Sequence, residues 1–362
     1  MPHTYDRPLV VATLLLLIGG LLVVASASVG VAQRQFGTIS YYALRQFLIG
    51  GLGGIVAFFI TQHTPYRLWR KLALPLMALS FLLLALVFFP EFSYSSGGAR
   101  RWLRLGPVSF QPSELLKLAF VVYLATWLDA RRREVSSIAY GMIPFGLMVG
   151  VVSVFLIMQP DIGTLGVIIA SAGLLYFLGG GKVSQVVTLG LFGAFLFYIV
   201  VQIAPYRLER ILVFLNPALD PRGIGYQINQ AFIAIGSGGF WGLGFGKSVQ
   251  KFSYLPEPMG DSVFAVFAEE TGFFGAFALI VLFAFLIWRG IAIARRAPDI
   301  FGKLLAAGIT ITLAVQAFIN MSAISGLLPL TGIPLPFVSY GGTALIMTMA
   351  GMGIVANVSK YT

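Results

Sequence analysis

Residues 9–31 read LVVATLLLLIGGLLVVASASVGV, an unbroken run without a charged side chain. A helix that crosses a bilayer needs ~20 apolar residues, so this run is long enough to span. Ala25-Ser26-Ala27 has the form of a signal cleavage site, but the run exceeds the ~7–15 residues of a secretory h-region. It reads as a retained first helix. Working outward, further apolar runs fall near 46–62, 71–90, 112–128, 138–158, 162–180, 184–203, 263–288, 302–327 and 335–358. Ten spans of this length occupy roughly 200 residues. The composition agrees: of 362 residues 58% are hydrophobic and 10% charged, with no cysteine. A soluble domain is ~45–50% apolar and ~25% charged. Disorder, collagen and a disulfide scaffold are excluded on the same grounds. The chain reads as an all-α polytopic membrane protein of about ten transmembrane helices. It forms one integral-membrane domain over residues 1–362.

The formal net charge is +11, but the basic residues are scattered through short loops. That distribution points to membrane-surface contact and away from nucleic acid. Clusters at 67–71, 131–133 and 289–303 lie in short loops on the same side as both termini, which places the termini in the cytoplasm. The opposite side carries Arg34, Arg45, Arg100, Arg101, Arg104, Arg207, Arg210, Arg222, Lys247 and Lys251, with Lys117 just inside a span. Most of these belong to two outer loops, 91–111 and 204–262. The second is the one long extracytoplasmic loop, between spans seven and eight. It is rich in glycine, and its apolar stretch 228–235 reads as a short helix lying on the membrane as a lid. Long loops escape the charge rule; the shorter loop does not. A cationic outer face favours an anionic ligand at the outer leaflet.

Five carboxylates fall within or at the mouths of spans: Glu114, Asp161, Asp261, Glu269 and Glu270. A charge in a span costs about 2.5–3.5 kcal/mol on insertion scales and marks a functional candidate. Glu114 and Lys117 are three apart and share a helix face, as a self-neutralising pair or as the wall of a polar cavity facing an anion. Asp261 follows Pro256-Glu257-Pro258-Met259-Gly260 and reads as the N-cap of the eighth span, a role worth ~1 kcal/mol. Glu269 and Glu270 lie about 12–14 Å further along that helix. A structural pair with Lys117 and a proton or ion site are both open for them. His3 and His63 are the only histidines, and no phosphate-binding G-x-x-x-x-G-K-[ST] loop occurs. The sequence therefore offers neither a histidine-based metal site or triad nor a nucleotide site.

Residues 320–343, NMSAISGLLPLTGIPLPFVSYGGT, carry a long position-specific pattern that resembles the SEDS family (shape, elongation, division and sporulation). The likeness continues in Ala99-Arg100-Arg101-Trp102-Leu103, Gln111-Pro112-Ser113-Glu114, Gln159-Pro160-Asp161-Ile162-Gly163-Thr164, Gly225-Tyr226-Gln227 and Ile235-Gly236-Ser237-Gly238-Gly239. Gln250-Lys251 and Tyr254-Leu255-Pro256-Glu257-Pro258 resemble the division branch of the family more than the elongation branch.

The resemblance implies a peptidoglycan glycosyltransferase that polymerises lipid II into glycan strands. It would work in the bacterial cytoplasmic (inner) membrane, multi-pass and with its active site facing outward. The implied partners are lipid II, the growing strand, a class B penicillin-binding protein and other membrane proteins of the division or elongation machinery. The alternatives are a lipid II flippase and a non-catalytic scaffold. The family's essential aspartate maps onto Asp261, although Met259-Gly260 stands where the family has His-Thr. Asp261 then becomes the catalytic base, with inversion at C1. Arg101, Lys117 and Lys251 become the candidates to hold pyrophosphate, and Glu114, Asp161 and Ser339 join them as substrate-binding residues. A divalent cation, Mg or Mn, is a candidate to share the pyrophosphate charge; no nucleotide is implied.

Overall fold

The computed structural model describes residues 4–96, 99–106, 108–203, 212–220, 223–252 and 254–362. Arg207, Arg210 and Arg222 lie outside them. The helices are α1 (Arg7–Ala27), α2 (Val29–Phe36), α3 (Tyr41–His63), α4 (Tyr66–Leu86), α5 (Pro112–Ala130) and α6 (Ile138–Met158). They continue with α7 (Ile162–Leu178), α8 (Val183–Ile203), α9 (Ile224–Gly238), α10 (Val263–Arg296), α11 (Ile300–Ile324) and α12 (Gly342–Ser359). Seven of these are long and apolar enough to cross a membrane: α1, α3, α4, α6, α10, α11 and α12. The other three expected spans are present as α5, α7 and α8, which are shorter or carry more charge. The chain is a polytopic helical membrane protein, with α11 and α12 the most enclosed of the long spans.

Both termini lie at one end of the bundle. The Asp6 N–H donates to Ser359 Oγ at 2.9 Å, and the Asp6 carboxylate caps α1 and pairs with Arg289. Nearby, the Tyr66 N–H donates to Asn357 Oδ1 at 2.8 Å, and the Tyr66 hydroxyl donates to the Asp299 carboxylate at 2.6 Å. Arg70 pairs with Asp129 at 2.8 Å. The basic clusters at this end are thus partly neutralised by carboxylates carried on neighbouring helices.

Several boundaries differ from the apolar runs, each for a local reason. The third span begins at Tyr66, five residues earlier than the run, because Pro65 fixes an extended backbone just before it. The last begins at Gly342, because Pro334, Pro336 and a left-handed Phe337 (φ 64°) keep the apolar residues before it out of a helix. The 91–111 loop holds a three-stranded antiparallel sheet: β1 (Ser93–Ser96), β2 (Ala99–Leu105) and β3 (Val108–Phe110). Its register pairs Tyr94 with Trp102 and Leu103 with Phe110. Helix α10 is broken at Gly272 (φ 68°, ψ −167°), so residues 263–271 form a separate half-helix.

Candidate active site

The site is assembled where the signature loop, residues 326–341, meets the start of α10. Ser262 occupies the N-cap of α10, so Asp261 stands one residue before it and does not play the capping role expected from the sequence. Its carboxylate accepts from Gln227 Nε2 of α9 at 3.3 Å, and its backbone carbonyl accepts from Asn320 Nδ2 of α11 at 2.9 Å. Asn320 Nδ2 also donates to the Ile333 carbonyl at 2.7 Å, tying Asp261 and the signature loop to one buried amide. Ser339 Oγ donates to the Gly260 carbonyl at 2.7 Å while accepting from the Leu335 N–H. The Tyr340 N–H donates to the Met259 carbonyl at 2.8 Å. Gln46, on a π-helical stretch of α3, accepts from the Gly341 N–H at 3.1 Å. Two loops without regular structure are thereby tied to each other by Ser339 and Tyr340 and to three different helices by the amides of Gln46, Gln227 and Asn320. In an apolar bundle such groups need partners, since an unpaired buried amide costs several kcal/mol.

Below this loop, Lys117 and Glu114 form a buried ion pair at 2.9 Å, and Lys117 Nζ also donates to Gln316 Oε1 at 2.6 Å. Gln316 in turn donates to the Pro334 carbonyl at 2.9 Å, linking the pair to the signature loop. These residues line a cavity of ≈ 50 Å³ whose other walls include Leu118, Val121, Leu313, Pro336 and Met347. The pair neutralises itself and forms the polar part of a cavity wall.

Asp161 is the N-cap of α7, accepting from the Thr164 N–H at 3.3 Å and from Ser113 Oγ of α5 at 3.1 Å. Arg101, on β2, donates to the Gln159 and Pro160 carbonyls. The sheet thus delivers Arg101 beside the Asp161 turn. Gly163, in the first turn of α7, packs closely on Thr331 and Ile333 of the signature loop. Arg101, Asp161, Glu114, Lys117, Ser339 and Asp261 therefore all border the same stretch of chain, 330–341, or its immediate supports.

Lys251 does not join them through any described contact. It is buried in a second cluster, where Nζ pairs with Glu270 at 2.7 Å and donates to Ser26 Oγ of α1 and the Gly246 carbonyl, each at 2.8 Å. Glu269 accepts from Ser248 Oγ and from the Val249 N–H at 3.0 Å. The sequence-based pairing of Glu269 or Glu270 with Lys117 is therefore corrected. Lys117 has Glu114, and Lys251, read from sequence as an outer-loop residue, folds back to meet Glu270. The break at Gly272 makes this possible. The Leu243 and Gly244 N–H groups donate to the Glu269 and Glu270 carbonyls, each at 3.0 Å, and the Phe273 N–H donates to the Gly239 carbonyl at 2.8 Å. A Cβ on Gly242 would lie 2.2 Å from the Glu270 carbonyl oxygen, and one on Gly272 2.3 Å from the Gly242 nitrogen. Both glycines have positive φ, so side chains are excluded there by conformation and by contact. The lid helix expected over 228–235 is longer, Ile224–Gly238, and packs along α10 with Ile228, Ala231 and Ala234 buried.

Gln46 and Gln316 were not singled out by sequence reasoning, and Gln227 only as part of the Gly225-Tyr226-Gln227 motif. Gln316 carried a usable signal: with Asn320 it forms an amide pair four residues apart on the mostly apolar α11. Gln46 had no comparable spacing partner.

A multi-helix membrane bundle with a carboxylate-centred polar site at the end opposite its termini is the class that this geometry defines. Within it, the chain belongs to the cell cycle protein family of FtsW, RodA and SpoVE, which matches residues 7–362. It is 43% identical over 360 residues to stage V sporulation protein E of Bacillus subtilis (strain 168), covering 99% of this chain and 97% of that protein. It is 39% identical over 355 residues to a probable peptidoglycan glycosyltransferase FtsW of Geobacter sp. (strain M18), covering 98% and 96%. Among solved structures it is similar to a chain of a peptidoglycan synthase complex described as coordinating polymerization and crosslinking. There the TM-score is 0.79, with 31% identity, 98% of this chain covered and 97% of that one. The rod shape determining protein RodA of Thermus thermophilus gives a TM-score of 0.69 at 30% identity, covering 98% and 96%.

Proposed function

We propose that this protein is a peptidoglycan glycosyltransferase that polymerises lipid II, with its active site on the outer face of the bacterial cytoplasmic membrane and both termini inside. The observation that carries the proposal is the convergence of Asp261, the signature loop and the cationic residues Arg101 and Lys117 on one end of the bundle. Relatives named as peptidoglycan glycosyltransferases support the same reading.

Chain growth joins the 4-hydroxyl of one sugar to C1 of another and expels undecaprenyl pyrophosphate. Asp261 is positioned to take the hydroxyl proton. Gln227 and Asn320 orient its carboxylate and its backbone, so the base is held without a reorganisation step. Arg101 presents its charge against backbone carbonyls and Lys117 sits in a cavity wall, which suits them to a pyrophosphate approaching from the bilayer. A carboxylate base acting opposite the leaving group inverts C1. Among the described residues no three carboxylates or histidines cluster as a metal site. Asp261 and Asp161, the carboxylates beside the signature loop, would be the residues to hold a Mg or Mn ion. When bound, it would neutralise charge on the leaving pyrophosphate.

A class B penicillin-binding protein is the proposed partner, on the strength of the structural likeness to a synthase complex that both polymerises and crosslinks. Within the spans, Thr13, Ser80, Ser171 and Thr310 donate their hydroxyls to carbonyls of their own helices. Such internal bonds are ordinary in membrane helices. What favours a one-ended site over a lipid pathway open at both ends is the gathering of Arg101, Asp161, Asp261 and Ser339 around one loop at the end opposite the termini. The test is purified protein, with and without the transpeptidase partner, given labelled lipid II. Glycan polymer from the wild-type chain supports the proposal; lipid II moved between leaflets without polymer overturns it.

A further inference from the structure

Four aromatic rings form a continuous wall that ends in the signature loop. Phe36, at the end of α2, stacks on Tyr41 with centroids 3.7 Å apart and planes at 15°. Tyr42 meets both rings edge-on, at 5.6 Å and 5.3 Å, and meets Tyr340 edge-on at 5.2 Å. Tyr340 is bonded through its N–H to Met259, two residues before Asp261. Gln46, one helical turn from Tyr42 and on the same face, holds Gly341. The wall is therefore fixed to the catalytic loop at its inner end. At its far end it is open, with Phe36 46% and Tyr41 36% exposed.

The rim of the wall is polar. The Tyr42 hydroxyl donates to Gln35 Oε1, and Arg45 and Glu257 lie close enough to act on Tyr42 electrostatically. Single tyrosines at the ends of spans are ordinary bilayer anchors. A run of four rings in contact, one pair stacked and the rest edge-on, whose last member is bonded into the site loop serves another purpose. Pyranose rings present C–H groups on their faces and hydroxyls at their edges. A receptor for them combines the electron-rich faces of aromatic rings with hydrogen-bonding groups around the rim.

We infer that Phe36, Tyr41, Tyr42 and Tyr340 form a saccharide-binding wall that takes the sugar rings of a glycan segment beside Asp261. This deepens the proposed function and rests on it for the identity of the sugar. The test is binding of a lipid-free tetrasaccharide of alternating N-acetylglucosamine and N-acetylmuramic acid to the full chain in nanodiscs, read by saturation-transfer NMR and calorimetry. Tyr42→Ala should weaken binding about three- to ten-fold, as loss of one aromatic contact does, while Tyr42→Phe, which keeps the ring, should bind within about two-fold of wild type by the same reasoning. In the polymerisation assay, Tyr42→Ala should also shorten the glycan product.

Equal tetrasaccharide affinity in wild type and Tyr42→Ala overturns the inference, as does no binding by a wild-type chain that still makes polymer. Binding that Tyr42→Ala abolishes in a chain that makes no polymer supports the wall and counts only against the glycosyltransferase reading. Normal thermal stability of Tyr42→Phe and Tyr42→Ala separates a binding defect from misfolding. Should Tyr42→Ala fail to fold, Tyr41→Ala at the exposed end serves in its place under the same criteria.

Discussion

Replacing Lys251 with methionine should destabilise the protein far more than removing any surface charge. Lys251 and Glu270 are 1% and 3% exposed, and Lys251 uses all three ammonium donors on Glu270, Ser26 and Gly246. In Lys251→Met, Glu270 keeps only Ser26 and a long contact from the Ser248 N–H, and Glu269 stands next to it. Removing one partner of a buried pair costs about 3–5 kcal/mol, because the remaining charge is uncompensated. The exposed Arg131–Glu134 pair, by contrast, falls in the class worth ~0–1 kcal/mol. With unfolding entropy of ~2.1 cal/mol/K per residue, the larger figure lowers Tm by roughly 4–7 °C. The assay is thermal unfolding followed by size-exclusion fluorescence in detergent, for Lys251→Met, Glu270→Gln, the double variant and Arg131→Gln. The double variant should recover part of the loss, because it leaves no lone charge. A Lys251→Met protein melting within 1 °C of wild type, or a double variant no better than either single one, would refute this account of the clamp.

Asp261→Asn should fold normally and lose polymerisation by ~10²–10⁴-fold, since Asn can still accept from Gln227 but cannot take a proton; near-normal polymer from the folded variant would move the base elsewhere. Arg101→Gln should weaken lipid II turnover while the protein purifies normally, measured by initial rate against lipid II concentration. Lys117→Met alone should be unstable, whereas Glu114→Gln with Lys117→Met should fold yet turn over slowly; equal stability of the two would contradict a buried pair at 2.9 Å. Gly20→Ala places a Cβ 2.1 Å from the Phe337 carbonyl oxygen, so overpacking should cost about 1–3 kcal/mol and displace the signature loop, seen as a lower Tm together with reduced turnover.

Much of the architecture was legible in the chain because the bilayer leaves few choices. A run such as 9–31 must be a helix where no water can satisfy its backbone, and its length is set by the membrane. The signature at 320–343 and the aspartate at 261 were equally visible, since both are local patterns of residue type. The edges of elements were less so. Residues 335–341 read as the start of the last apolar run, 335–358, and the two prolines and the left-handed Phe337 keep them as a loop packed against Gly20.

Sequence by itself determined the class, a polytopic helical membrane protein, and the family to which the chain belongs. Tertiary structure decided which charges meet. Lys251 is 19 residues from Glu270 and 225 from Ser26, while Lys117 is 199 from Gln316. Hydropathy carries no information about such pairings, because any buried lysine would be equally relieved by any buried carboxylate. The choice is made by backbone geometry: the break at Gly272 and its close approach to Gly242 fold residues 239–251 back onto α10. That turn brings Lys251 to Glu270 and leaves Glu114 as the partner of Lys117 beside the site loop.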